Sequence, residues 1–148
     1  MADGPNPNCW IKWVIGYHAE WKELGTGVVT GRSGTIGKVH YINSDRYWPH
    51  NTSLFVKDFK GNYPKFIKIL LESVDLKSLG AQTSAVPSLD RKVAHELKVQ
   101  IPSVQVQKEI VSEIEAEQAL VNANKELIER MEKKIEGVLK RVWGEQTA

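Results

Sequence analysis

The stretch from Val104 to Trp143 limits what this chain can fold into more than any other. It reads VQVQKEIVSEIEAEQALVNANKELIERMEKKIEGVLKRVW, with no proline and a single glycine, Gly137. Ile114, Val121, Ile128, Ile135 and Val142 recur every seven residues, and Ile110, Met131 and Val138 occupy the alternate position. A heptad seam with β-branched residues at one core position predicts a coiled-coil helix. Its length would be roughly 58 Å at about 1.5 Å per residue. Glu117 and Asn124 interrupt the seam. Either they face solvent where the seam is loose, or Asn124 fixes register or partner number, as a lone seam asparagine does in coiled coils.

A helix this long cannot bury its own stripe. Leu120, Leu127 and Leu139 lie beside the seam and widen it, while the other faces carry Glu126 with Arg130, Glu129 with Lys133, and Glu132 with Glu136 and Lys140 at helical spacing. Such pairs contribute a few tenths of a kcal/mol each and mark a solvated surface. The seam therefore calls for a partner, from this chain, a second copy or another protein.

Of the 148 residues, this leaves room for one compact domain besides the helix. One cysteine, Cys9, excludes an internal disulfide and a multi-cysteine zinc site. No apolar run approaches the ~18 residues of a membrane span, and the start lacks a basic-then-apolar signal pattern, so the expected compartment is the cytoplasm and no membrane is involved. The net charge of +2 is unevenly spread: Val28 to Val104 holds eleven Lys/Arg against six Asp/Glu, and the flanking segments are slightly negative. A phosphate-contacting face would need positive charge concentrated in this way, although a basic segment is common on other proteins too.

Met1 to Asn8 (MADGPNPN) reads as a loose end from its Gly, Pro and Asn punctuation. Trp10 to Ile15 is expected to form a short buried strand, with Trp10, Trp13 and Trp21 needing a substantial apolar cover. Val28–Val29 and Val39–Ile42 read as strands, separated by Gly31, Gly34 and Gly37 with Arg32, Ser33, Thr35 and Lys38 among them. The spacing is not that of a P-loop: Gly31 is one residue too far from the Gly37-Lys38 pair, and Val39 stands where a magnesium-binding hydroxyl belongs. A strand also follows where a phosphate site would need a helix N-terminus. A tight strand–turn–strand with glycines at positive φ is expected, holding Arg32 and Ser33 within reach of a ligand. Asn51 to Val56 gives a further strand, and Tyr63 to Val74 a helix with Phe66, Ile67, Leu70, Leu71 and Val74 on one face.

Taken in order, GVVTGRSGTIGKVHYIN, YWPHNTSLFV, YPKFIKILLESV, SAVPSLDR and LKVQIPSV leading through Gln105 and Gln107 into the long helix resemble the distal half of a target-recognition domain. Such domains belong to the specificity subunits of type I restriction–modification systems and to related fused restriction enzymes. Pro102 and Gln107 match the family's proline-containing run before the helix, while Ser103 replaces a second proline and Val106 a glutamate. The likeness runs from about Gly27 to Trp143. The portion before the GRSGTIGK turn is shorter than is usual in the family, and full subunits carry two recognition domains and two long helices. A half-subunit, a split or truncated product, or the tail of a larger enzyme is therefore expected.

The resemblance implies a protein that reads half of a bipartite site in double-stranded DNA and does no chemistry. Its long helix would pair antiparallel with another helix and set the spacing of half-sites, and methyltransferase and restriction subunits would dock on the helices. The residues themselves offer no rival enzyme. His18, His40, His50 and His95 lack metal-binding spacing, Ser33 lies in G-R-S-G and not in a nucleophile elbow, and no N-P-P-Y type run is present. No catalytic residue, metal or cofactor is expected. The Asn51-Thr52-Ser53 sequon has no secretory context to give it meaning.

The DNA-contact candidates are Arg32, Ser33, Thr35 and Lys38 at the turn, Asn51 and Thr52 after it, and Gln82, Ser84 and Arg91 in the later loop. Arginine can read guanine bidentately, while lysine and hydroxyls suit phosphates. A surface arginine at a turn and a solvated loop are the plainer readings of these positions, and Lys57, Lys60, Lys65 and Lys68 serve solubility as readily as phosphate contact. The partner-helix residues are Ile110, Ile114, Val121, Asn124, Ile128, Met131, Ile135, Val138 and Val142. The expected fold is α+β: a small, mostly antiparallel sheet with a helix, then one long coiled-coil-type helix. The expected divisions are an N-terminal segment (1–26), a recognition domain, whole or partial (27–103), the helix (104–143) and a tail (144–148). The alternative is a coiled-coil interaction module that binds no DNA; the two differ in whether affinity for DNA exists and falls with salt.

Overall fold

The computed structural model describes residues 6–9, 14–18, 20–33, 35–81 and 88–144. The chain separates into two compact units, Met1–Lys108 and Glu109–Ala148. The first is α+β. Its strands are β1 (Asn6–Cys9), β2 (Val14–His18), β3 (Glu23–Leu24), β4 (Gly27–Gly31), β5 (Val39–Ile42), β6 (Arg46–Pro49), β7 (Ser53–Phe55), β8 (Gly80–Ala81) and β9 (Ser88–Leu89). Its helices are α1 (Pro64–Ser73) and α2 (Arg91–Glu96), and α3 (Val104–Trp143) begins in it. Three small sheets result, in the orders β2-β1-β6-β3, β5-β4-β7 and β8-β9. All pairings are antiparallel except β1 with β6, so the expected mostly antiparallel character holds while the single expected sheet is divided.

Strand β4 lies at the centre of the first unit. Every residue from Gly27 to Gly31 is buried, because both faces of the strand are covered. Val28 joins Ile36, Val39, Leu76 and Leu89 on one face, with Leu71 and Val74 around the end of α1 packed against them. Val29 joins Ile42 and Tyr47 on the other, with Phe55 set edge-on to the Tyr47 ring at a centroid distance of 6.4 Å. Gly27 makes this possible: a Cβ there would lie 2.6 Å from the Tyr47 ring. Strand propensity of the valines and burial on two faces thus act together.

Helix α1 starts with Pro64 at its first turn, where the missing N–H costs nothing. Tyr63, at the N-cap, supplies no side-chain cap. The cap comes from elsewhere: Gln107 Oε1 accepts the Tyr63 N–H at 2.8 Å. Gln107 Nε2 donates to Asn62 Oδ1 at 2.8 Å and to the Pro102 carbonyl at 2.9 Å. The side chain is fully buried with its amide satisfied on both sides, and it ties the first turn of α3 to the start of α1.

Several expectations are corrected. Asn6–Asn8 is not a loose end; it forms most of β1, paired antiparallel with β2 and in parallel with Trp48–Pro49 of β6. Backbone pairing to two neighbours overrides the turn-prone composition. Of the strand expected over Trp10 to Ile15, Trp10–Trp13 lie outside the described residues, and Val14 and Ile15 open β2. The strand expected from Asn51 is shorter, because Asn51 and Thr52 form a turn ahead of Ser53. Strands β3, β6, β8 and β9 and helix α2 arise in stretches that carry no periodicity of their own. The bounds of α3 agree with the heptad pattern at both ends. Among the described residues no helix is long and apolar enough to cross a membrane.

Candidate nucleic-acid interface

The turn between β4 and β5 runs from Arg32 to Lys38 and is longer than a tight hairpin. Gly37 has a positive φ of 83°, as expected, but Gly31 serves differently. It lies where the turn folds back on its own strand, so a Cβ would meet the Thr35 side chain and stand 2.8 Å from the Thr35 carbonyl oxygen. Close approach, not left-handed backbone, is what requires glycine there. Gly34 lies outside the described residues.

Arg32 is the junction of three segments. Its N–H donates to the Thr52 carbonyl at 2.9 Å, and its carbonyl accepts from the Leu89 N–H at 2.9 Å. Ser33 forms an antiparallel bridge with Ser88. Gly31 pairs with Ser53, which brings the Asn51–Thr52 turn to the same end of the β5-β4-β7 sheet. Farther along the turn, Thr35 N–H donates to the Ser33 carbonyl at 2.9 Å and Lys38 N–H to the Thr35 carbonyl at 3.3 Å.

The Arg32, Lys38 and Asn51 side chains are exposed there, and Ser33, Thr35 and Thr52 are half-buried. Thr52 Oγ1 lies 2.9 Å from His50 Nδ1, which holds that hydroxyl in place. Arg91 follows two residues after Leu89, exposed at the start of α2, whose N-terminus is capped by Asp90 Oδ1 accepting from the Lys92 N–H at 2.8 Å. Arg91 also lines an apolar cavity of about 400 Å³ together with Val28, Leu54, Leu71 and Leu89.

Arg32, Ser33, Thr35, Lys38, Asn51 and Thr52 therefore gather at one end of one sheet, while Arg91 lines the cavity along the sheet's face. Gln82 and Ser84 lie outside the described residues. Ser88 and His50 belong to the same neighbourhood and had no local signal: Ser88 reaches it only through pairing with a serine 55 residues earlier.

Arg32 and Lys38 bring positive charge to this end, and the Asp90 carboxylate caps α2 beside Arg91. Away from it, His40 on β5 is part-buried with Nε2 unpartnered. Burial holds its protonation below the ordinary imidazole range, against the pull of Glu72 and with help from Lys38 and Lys68. Among the described residues no cluster of His, Cys, Asp and Glu could hold a metal ion. The arrangement presents hydrogen-bond donors and positive charge, suited to phosphates and base edges.

Taken by itself, α3 presents the expected seam to its surroundings from Ile114 onward. Ile128, Ile135 and Val142 are 56%, 54% and 65% exposed, and Asn124 is exposed as well. Glu136 and Lys140 form the expected surface pair at 2.9 Å, and the lysine holds the Glu136 carboxyl below its usual range.

The sequence matches a known protein family, described as the type I restriction modification DNA specificity domain, over residues 3–136. No curated protein matches the chain.

Proposed function

The chain belongs to the type I restriction modification DNA specificity domain family, and from that premise we propose that it reads one half of a bipartite DNA site with the turn end of the β5-β4-β7 sheet. DNA recognition in a restriction–modification system is the family's role; the assignment to particular residues is ours. Arg32 would contact a base edge, with guanine the natural partner for its paired donors. Lys38, Arg91 and the hydroxyls of Ser33, Thr35 and Thr52 would hold phosphates and fix register, with Asn51 beside them. The observation that carries this reading is the double backbone tether of Arg32 to Thr52 and Leu89, which collects these side chains from three separated segments.

In the same reading, α3 pairs with another helix through Ile110, Ile114, Val121, Asn124, Ile128, Met131, Ile135, Val138 and Val142, and methyltransferase and restriction subunits dock on the paired helices. Methylation and cleavage would reside in those subunits, with this chain non-catalytic, free of cofactor and acting in the cytoplasm.

Selection of bound sequences from a randomised duplex pool at two salt concentrations tests the DNA-reading assignment. Enrichment of a short motif by the intact protein, with preference at one position of that motif relaxed in Arg32→Ala, is the expected result. Binding without any enriched motif, or an enriched motif that Arg32→Ala leaves unchanged, rejects the assignment to this turn. No affinity at either salt concentration favours a coiled-coil interaction module.

A further inference from the structure

The cavity that Arg91 lines holds about 400 Å³ between Val28 and Leu54 of the sheet, Leu71 of α1, Leu89 of β9 and Ala94 of α2. A close-packed interior leaves few voids larger than a water molecule, whereas small-molecule sites begin at about 300 Å³ and are lined mainly by apolar side chains with a few polar groups. Here the polar groups are Thr30, Lys57, Asp58, Arg91 and His95.

Two of the charges are already engaged. Lys57 Nζ lies 2.7 Å from Glu23 Oε2, and Asp58 Oδ2 lies 2.6 Å from Lys60 Nζ. The neighbouring Asp90 carboxylate is held at the start of α2 by the Lys92 N–H. Arg91 and His95 differ: their side chains have no ion pair or hydrogen bond among the described residues. Four residues apart on α2, they share one face of the helix. Thr30 Oγ1 is buried without a partner, so turning that hydroxyl toward a ligand breaks no existing bond.

From the apolar lining and this unpaired pair of donors, we propose that the cavity binds a small amphipathic carboxylate. Its hydrocarbon body lies among Val28, Leu54, Leu71 and Leu89, and its head is held by the Arg91 guanidinium and a ring N–H of His95. A guanidinium fork matches the two oxygens of a carboxylate, and the same positive charge disfavours a cationic ligand. Occupancy bears on the reading turn. Leu89, in the cavity wall, donates its N–H to the Arg32 carbonyl at 2.9 Å. Arg91 cannot hold a carboxylate and a DNA phosphate at once, so ligand and duplex oppose each other reciprocally. That opposition rests on the DNA-reading assignment; the cavity site does not.

The test uses octanoate as the probe and octanol as its uncharged match, titrated into the isotopically labelled full chain and followed by amide NMR. Octanoate should give saturable shifts centred on the Leu54, Leu89 and Ala94 amides. Octanol should bind about tenfold more weakly, and Arg91→Ala should bring octanoate down to the level of octanol, the effect of one charge-assisted hydrogen bond. Ala94→Leu, which fills part of the cavity, should abolish the shifts. Should that variant lose its fold, the Arg91→Ala and octanol comparisons decide alone, because Arg91 is exposed.

Shifts that do not saturate, or that centre elsewhere, overturn the site. Equal affinity for octanoate and octanol, or an Arg91→Ala affinity equal to that of the natural chain, overturns the carboxylate as its ligand. Duplex affinity is then measured with the cavity filled, against the same concentration of acetate. A fall specific to octanoate is expected, and no change overturns the competition for Arg91. Failure of the DNA-reading assignment itself would be visible before any octanoate is added, as absence of a preferred duplex.

Discussion

At the scale of the residue, Gln107 is the side chain whose loss should be felt most. It satisfies the Tyr63 N–H and Asn62 Oδ1 from a fully buried position, so truncation leaves those groups unpaired as well as opening a void. Gln107→Ala should lower unfolding stability by about 2–4 kcal/mol, the sum of an unpaired buried group and lost packing, read as a lower urea midpoint. His40 gives a pH signature. Its folded-state pKa is depressed chiefly by burial, so the unfolded chain takes up the proton first. The stability tied to a neutral His40 is present above the ordinary imidazole pKa and is lost as pH falls through that value toward the folded one. Between pH 7 and pH 5 the urea midpoint of His40→Gln should therefore fall less than that of the natural chain. An equal fall in both would show that other groups govern the acid response.

At the scale of the element, α3 and the β4–β5 turn contrast. The helix follows from local pattern: its heptad spacing continues to the end, with Glu117 and Asn124 as polar seam positions, and its glycine, Gly137, stands in open space on a helical backbone. Gly137→Ala should raise the thermal midpoint of the helical signal, corresponding to about 0.5–1 kcal/mol, because alanine loses less backbone entropy and meets nothing. The turn has no such autonomy. Its shape needs Gly31 for close approach to Thr35 and Gly37 for a positive φ, and its ends are held by β7 and β9. The same residue type thus weakens one element and is required by the other.

At the scale of the whole molecule, a DNA reader with about four phosphate contacts should lose on the order of 100-fold in affinity between 50 and 200 mM salt. Lys38→Ala should weaken binding evenly across sequences and reduce the slope of log affinity against log salt by about one. Fluorescence anisotropy over a salt series checks both; a flat series would deny phosphate contact. The existence of this basic segment was legible from the chain itself, as were the long helix, its seam, strands β4 and β5, α1 and the family. Each is a local pattern: a heptad, a pair of valines, an amphipathic turn, or an ordered set of short motifs. What tertiary structure decided is which distant segments meet. Asn6–Cys9 becomes a strand because β2 and β6 accept its backbone, and Arg32 acquires Thr52 and Leu89 as neighbours because β7 and β9 close on it. Gln107 becomes a helix cap for residues more than forty positions earlier. Such contacts are set by burial and by hydrogen-bond satisfaction across long loops, which no local periodicity encodes.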